Sequence, residues 1–191
     1  MAAPADLTIL NLSGKFYLNK TKTDATKMDE VLRLQGVSWM TRKIIGASSI
    51  TLHIKHYKDD AGVEHIDIDQ TLTGGISGTR EERTLWWKEH EHEDHIFGSV
   101  LGKSRRVKAD ELDEPFLKTG WTADTLEHGL VQAYAESNTA KSNTTWIANQ
   151  TWGLEEFEGE RRYIRHLKFT GPGAEEIEVK FIYDYAGPLS S

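Results

Sequence analysis

Along the chain, apolar and polar residues alternate with period two in segment after segment, and a period of 3.6 occurs only near the N-terminus. Period two sends successive side chains to opposite faces of a strand, so the pattern predicts an antiparallel β protein with one small helical piece. The clearest strand sets Ile50, Leu52 and Ile54 against Thr51, His53, Lys55 and Tyr57. Its partner sets Ile66, Ile68 and Leu72 against His65, Asp67, Asp69 and Thr71, with Lys58-Asp59-Asp60-Ala61-Gly62 between them as a hairpin turn. Further strands are expected at Gly14 to Asn19, Arg80 to Lys88, His95 to Val107, Leu126 to Glu136, Thr144 to Trp152, Arg162 to Phe169 and Ile177 to Tyr185, with a short one at Phe116 to Thr119. About ten short strands leave exposed edges unless they close into a barrel or pack as a sandwich.

The helical piece lies between Thr26 and Gly46. Thr26-x-x-Asp29 has the form of an N-cap box, Met28, Val31 and Leu32 recur at helical spacing, and Gly36 breaks the run. A second short helix is read from Val37 to Ile45, with Val37, Met40 and Ile44 on one stripe and Gly46 closing it. The expected order is therefore one strand, two short helices, then only strands, in a single domain over residues 1–191 with a helical lid at about 26–46.

That order, with Gly14-x-Phe16-x-Leu18 on the first strand and Gly36-Val37-Ser38-Trp39-Met40-Thr41-Arg42-Lys43 around the second helix, resembles the intracellular lipid-binding proteins, the fatty-acid and retinoid carriers of the calycin superfamily. The chain is also similar to a group of mostly uncharacterised fungal calycin-like proteins, in which a stretch like Trp87 to Gly98 recurs. The resemblance implies an all-β, ten-stranded lipocalin or fatty-acid-binding-protein-like barrel, a helix-turn-helix lid between the first two strands, and a cavity for one apolar ligand. Two departures stand out. The chain is longer than a typical carrier, which places an added excursion around Ala109 to Asp124, and the family's Arg-x-Tyr pair on the final strand becomes Phe181-Ile182-Tyr183 here. A free fatty acid held in the family's usual way is therefore not expected.

Composition narrows the partners. With 23 Lys and Arg against 30 Asp and Glu, the net charge of −7 offers no general field for nucleic acid or an anionic membrane surface. The absence of cysteine excludes a disulfide framework, a thiolate metal site and a Cys nucleophile. No stretch approaches the roughly 20 apolar residues of a helical membrane span, and the N-terminus lacks the pattern of a secretory signal, so a cytoplasmic location is expected. The sequons at Asn11, Asn19, Asn143 and Asn149 then carry no weight.

The most conspicuous chemical motif is His90-Glu91-His92-Glu93-Asp94-His95, an HxHxDH pattern shared with metallo-β-lactamase-fold hydrolases. That fold alternates helices and strands, which this chain does not. His90, His92 and His95 are read as a charged turn between strands, with weak adventitious metal binding as the alternative and a metallo-hydrolase as a remote one. Gly74-Gly75-Ile76-Ser77-Gly78 follows a strand but opens no helix, so it reads as a hairpin turn and not a phosphate cradle. Lys103-Ser104-Arg105-Arg106-Val107-Lys108 reads as a solvated strand-end charge run. No nucleophile elbow, Walker or dinucleotide motif is present, and no cofactor is expected.

Aromatic and polar residues on inward faces are more informative. If Tyr163, Leu167 and Phe169 point inward, so does Arg165, and a buried guanidinium needs an anionic or carbonyl partner. The expected ligand-binding set is Arg165, Tyr183, Gln150, Trp146, Tyr134, Gln132 and Phe181, with Trp39, Met40 and Val37 contacting or gating the ligand from the lid. Two functions remain open: a barrel that carries or sequesters an apolar or amphipathic molecule, and a cofactor-independent isomerase or cyclase with His53 and Tyr183 as acid–base candidates. A barrel filled by its own side chains is the structural alternative.

Overall fold

The computed structural model describes residues 1–73 and 78–189. Ten strands among them form one antiparallel sheet: β1 (Gly14–Leu18), β2 (Ile50–Lys58), β3 (Glu64–Leu72), β4 (Arg80–Thr84), β5 (His90–Asp94), β6 (Gly98–Val107), β7 (Leu130–Ser137), β8 (Ile147–Phe157), β9 (Glu160–Thr170) and β10 (Glu176–Gly187). The sheet runs β4-β3-β2-β1-β10-β9-β8-β7-β6-β5, so β1 pairs with β10 and the two edges are β4 and β5. It curls until those edges approach without pairing to each other. Arg83 donates to Ser104 Oγ at 3.2 Å and the Trp87 N–H to the Ser104 carbonyl at 2.8 Å, which ties the β4 side to β6.

Two helices, α1 (Ala25–Leu34) and α2 (Trp39–Ala47), are inserted between β1 and β2. Asp24, and not Thr26, caps α1 by accepting the Lys27 N–H; Ser38 caps α2 by accepting from Thr41. Gly46 lies inside α2, which ends at Ser48. The alternation places Phe16, Leu52, Ile54, Ile66, Ile68, Trp152 and Tyr163 wholly inside the lower barrel, and the N-terminal segment closes that end with Ile9 and Leu12. A polar cluster anchors the closure. The Leu12 N–H donates to His56 Nδ1 at 3.1 Å, which leaves the proton on His56 Nε2 to bond Glu64 at 2.7 Å, and Glu64 also pairs with Arg106.

Three readings are corrected. Phe116 to Thr119 is not a strand: α3 (Pro115–Lys118) and α4 (Ala123–His128), which absorbs Leu126, follow a 3₁₀ turn at Ala109–Glu111. This excursion buttresses the outside of the sheet, where Leu112, Leu117 and Trp121 pack on Ile164 and Ile182. The strand predicted from His95 to Val107 begins at Gly98, and His90–Asp94 is itself an edge strand where a charged turn was expected. A short helix, α5 (Thr139–Ser142), joins β7 to β8. The glycine-rich turn lies, apart from Gly78, outside the described residues. No helix among the described residues is long and apolar enough to cross a membrane.

Candidate functional site

Packing differs between the two ends of the barrel. Below the level of Trp152 the interior is filled, whereas above it, beneath α1, lies a cavity of about 250 Å³. That is slightly under the roughly 300–1,000 Å³ usual for small-molecule pockets. Its apolar wall comes from Leu18, Leu72, Phe97, Ala148, Leu167 and Phe181, and its roof from Met28, Val31 and Leu32 of α1 with Ile45 of α2.

Two arginines and a glutamate gather at the floor. Arg165, on β9 opposite Trp152 of β8, lays its guanidinium on the Trp152 indole at 3.9 Å and donates from Nε to the Tyr163 hydroxyl at 2.9 Å. Its Nη2 is buried without a partner. Arg83 approaches the same indole, at 5.1 Å, and pairs with Glu81 at 2.7 Å. Burial acts to raise the Glu81 carboxyl, but Arg83 and Arg165, with His92 beyond them, outweigh it and hold the group below its ordinary range. Burial opposes the Arg165 charge, yet Tyr163, Tyr183 and Glu81 leave its pKa above the usual value. The floor therefore carries two fixed cations, and only Arg83 has a carboxylate in contact with it.

Tyr183 lines the cavity, and burial pushes its hydroxyl pKa up, so at neutral pH it is a hydrogen-bond donor and not a base. Gln150 accepts the Trp152 indole N–H at 3.0 Å, which fixes its carboxamide and leaves the nitrogen end unused. Trp146 lines the upper wall between Phe97 and Phe169, its indole N–H buried with no partner.

Of the residues expected to bind ligand, the fold brings Arg165, Tyr183, Gln150, Trp146 and Phe181 to the cavity. It takes Gln132 and Tyr134 to the outer face, where Gln132 bonds Arg105 and Asn149, and Tyr134 bonds Glu136. His53, out of phase with inward Leu52 and Ile54, also faces outward. Val37 is buried in the core but not in the cavity wall, and Trp39 and Met40 are 65% and 67% exposed. The lid contact is made instead by α1, whose Met28–Val31–Leu32 stripe was visible in the sequence but read only as a helix signal. Glu81, Arg83 and His92 were missed as cavity residues because a polar edge strand looks solvated from sequence.

The HxHxDH motif dissolves into local structure. Asp94 Oδ1 accepts the N–H groups of Ile96 and Phe97 at 2.7 and 3.0 Å, the signature of a side-chain-capped turn. Glu91 is held by Lys141, Ser99 and Asn138, led by the Lys141 bond, which brings its carboxyl down to about 2. His92 faces the cavity, His90 is exposed, and His95 opens the turn. Among the described residues no three His, Asp or Glu side chains come together to hold a metal.

No family model matches the chain. Two curated fungal proteins align along nearly its whole length. The probable pericyclase scpY of Mollisia scopiformis is 29% identical over 190 residues, covering 98% of this chain and 96% of that protein. The pericyclase pydY of an Acremonium species is 26% identical over 191 residues, covering 98% of each. Among solved structures, Echinococcus granulosus fatty-acid-binding protein 1 superposes with a TM-score of 0.56 at 11% identity, over 92% of this chain and 98% of that one. The fluorescent protein UnaG does so with 0.55 at 12% identity, over 92% and 97%. The fold is thus a ten-stranded barrel of the fatty-acid-binding-protein type.

Proposed function

We propose that this chain is a cofactor-independent catalyst of a pericyclic ring-forming reaction, which binds an apolar, oxygen-bearing polyene in the cavity beneath α1. The observation that carries the reading is the Arg165 guanidinium, buried at the floor of the cavity below the apolar wall of Ala148, Leu167 and Phe181, its Nη2 without a partner among the described residues. The two full-length relatives named pericyclases support catalysis over simple carriage.

A pericyclic step redistributes electrons around one cyclic array, so substrate and product are isomers and no proton or electron enters or leaves. The protein has two tasks. Apolar walls hold the chain folded with its reacting carbons close; because the reacting groups are already tethered, what this saves is the entropy of freezing the chain's internal rotations. Arg165 and Tyr183 then donate to a carbonyl or enolate oxygen conjugated to the reacting alkene, drawing electron density from it as the transition state forms. The stack on Trp152 and the bond to Tyr163 fix the guanidinium beforehand.

The test uses a linear substrate bearing a conjugated diene tethered to an alkene conjugated with a ketone, and follows ring-closed isomer by chromatography and mass spectrometry against the protein-free rate. The wild type is expected to accelerate closure, and Arg165→Leu to lose about 10–100-fold of that acceleration while still binding an apolar dye. Tight binding of substrate without acceleration would leave the second reading, a carrier, which the likeness to fatty-acid-binding proteins favours.

A further inference from the structure

Two buried donors in the cavity residues, Arg165 Nη2 and Trp146 Nε1, have no partner among the described residues, and they belong to opposite ends of the cavity. Arg165 faces Trp152 across the β8–β9 ladder. Trp146 stands six residues before Trp152, so at about 3.3 Å per residue the two backbone positions are roughly 20 Å apart. Between them the β8–β10 side of the wall is Ala148, Leu167 and Phe181 with Gln150, while His92 and Asp94 of β5 line the opposite side.

A buried indole N–H ordinarily finds an acceptor, because leaving one unmet leaves the cost of its desolvation uncompensated. Trp146 has none: Val31, Leu34 and Phe169 pack around it, and Phe97 meets it edge-on. We infer that the cavity takes a ligand with acceptors at both ends of an apolar span, an anionic or strongly polarised oxygen at Arg165 and a neutral carbonyl-type oxygen at Trp146. The two ends differ for a physical reason. Arg165 brings a full charge with no carboxylate in contact, whereas a single neutral indole N–H in an apolar wall would not offset the desolvation of a second anion. The inference rests on the cavity being the binding site, as in the function proposed above.

The probes are octanoic, decanoic, dodecanoic and tetradecanoic acids, each with its counterpart bearing a ketone at the penultimate carbon. Binding is measured by displacement of anilinonaphthalene sulfonate. In the wild type one ketone length is expected to bind about threefold to tenfold more tightly than its parent acid, the effect of one added hydrogen bond. Trp146→Phe, which keeps an aromatic ring and removes the N–H, should erase that gain so that no keto-acid binds more tightly than its parent acid in the same variant, whereas Arg165→Met should weaken acid and keto-acid alike. Should Trp146→Phe not fold, the indole proton resonance of Trp146 in the wild type is expected to move downfield with the keto-acid and not with the parent. Parent acids that bind with no ketone gain at any length, a gain that survives Trp146→Phe, or an unmoved indole resonance overturns the inference while leaving the binding site standing. If neither dye nor acid binds the wild type, the occupied cavity falls with it.

Discussion

Gly153→Ala should separate the stability of the barrel from its ligand site, because Gly153 sits in β8 with its missing side chain toward the outer buttress and not the cavity. A Cβ built there meets Thr125 Cγ2 at 2.6 Å and the Trp121 ring at 2.8 Å, about 0.8 and 0.6 Å short of ordinary contact. Neither neighbour can yield cheaply. Thr125 is fully buried and its Oγ1 accepts the Leu154 N–H at 3.1 Å, while Trp121 stacks on His166 at 4.0 Å and donates its indole N–H to the Leu117 carbonyl. His166 in turn bonds the Phe116 carbonyl and Glu155, so displacing Trp121 disturbs the clasp that holds α3 against the sheet. Overpacking of this kind costs about 1–3 kcal/mol, which for a chain of this size lowers the melting midpoint by about 2–12 °C. Urea and thermal unfolding followed by tryptophan fluorescence should show that loss, with dye affinity at low denaturant unchanged. Unaltered stability would refute the packing argument. A dye affinity that falls in step with stability would refute the separation of buttress from cavity.

Two further outcomes follow from the same structure. Glu64 has a carboxyl that burial acts to raise, but hydrogen bonds from His56 and Arg106 bring it down to about 2 from its usual 4.5. A depressed folded pKa contributes stability that is complete above the unfolded value and lost as pH falls from about 4.5 toward 2; discounted for the screening of a half-buried group, it is worth on the order of 1–2 kcal/mol at neutral pH. Glu64→Gln should therefore flatten the stability–pH profile over that acid window, and a profile as steep as the wild type's would show that Glu64 is not the group responsible. Trp39→Ser combined with Met40→Ser should change unfolding free energy by no more than about 0.5 kcal/mol, since both side chains are exposed; a larger drop would place them in the lid's packing.

Legibility in the sequence followed the strength of alternation. Strands with apolar inward faces, such as Ile50–Lys58 and Glu160–Thr170, announce themselves, and the second also delivered Arg165, whose inward position follows from Tyr163, Leu167 and Phe169. The β5 strand did not announce itself, because His-Glu-His-Glu-Asp is polar at every position: it is a sheet edge whose inward His92 and Asp94 line the cavity. Phe116 and Leu117 were read as strand because two adjacent apolar residues fit either period, and Pro115 at the start of a helical turn was the cue that decides it. The lid was located, but its facing was not. Helix α2 begins with Trp39 and Met40, and large apolar residues at a helix start suggest contact, yet only Ile45, a turn later, reaches the cavity. Tyr134 and Gln132 were placed inward by their polarity and aromatic content, whereas alternation with buried Val131 and Ala133 sends them out.

The division of the barrel at Trp152 explains how one small fold sustains both a void and an uncompensated charge. The fully buried side chains of the filled half, among them Phe16, Leu52, Ile54, Ile66 and Ile68, each contribute about 1.5–3 kcal/mol, so the stability of the barrel rests on that half while the other is left open. Arg165 stands at the boundary for a reason that the two halves make clear. Below it, Trp152 and Tyr163 immobilise the guanidinium through a ring face and one hydroxyl; above it lies the space a ligand would occupy. A guanidinium one inward position earlier, at Tyr163, would be buried in closed core with no space for an acceptor, and one position later, at Leu167, would lose its Trp152 platform. The cation is therefore placed where the barrel can hold it still at the edge of the cavity, which is the condition that the electrostatic assistance proposed above would require.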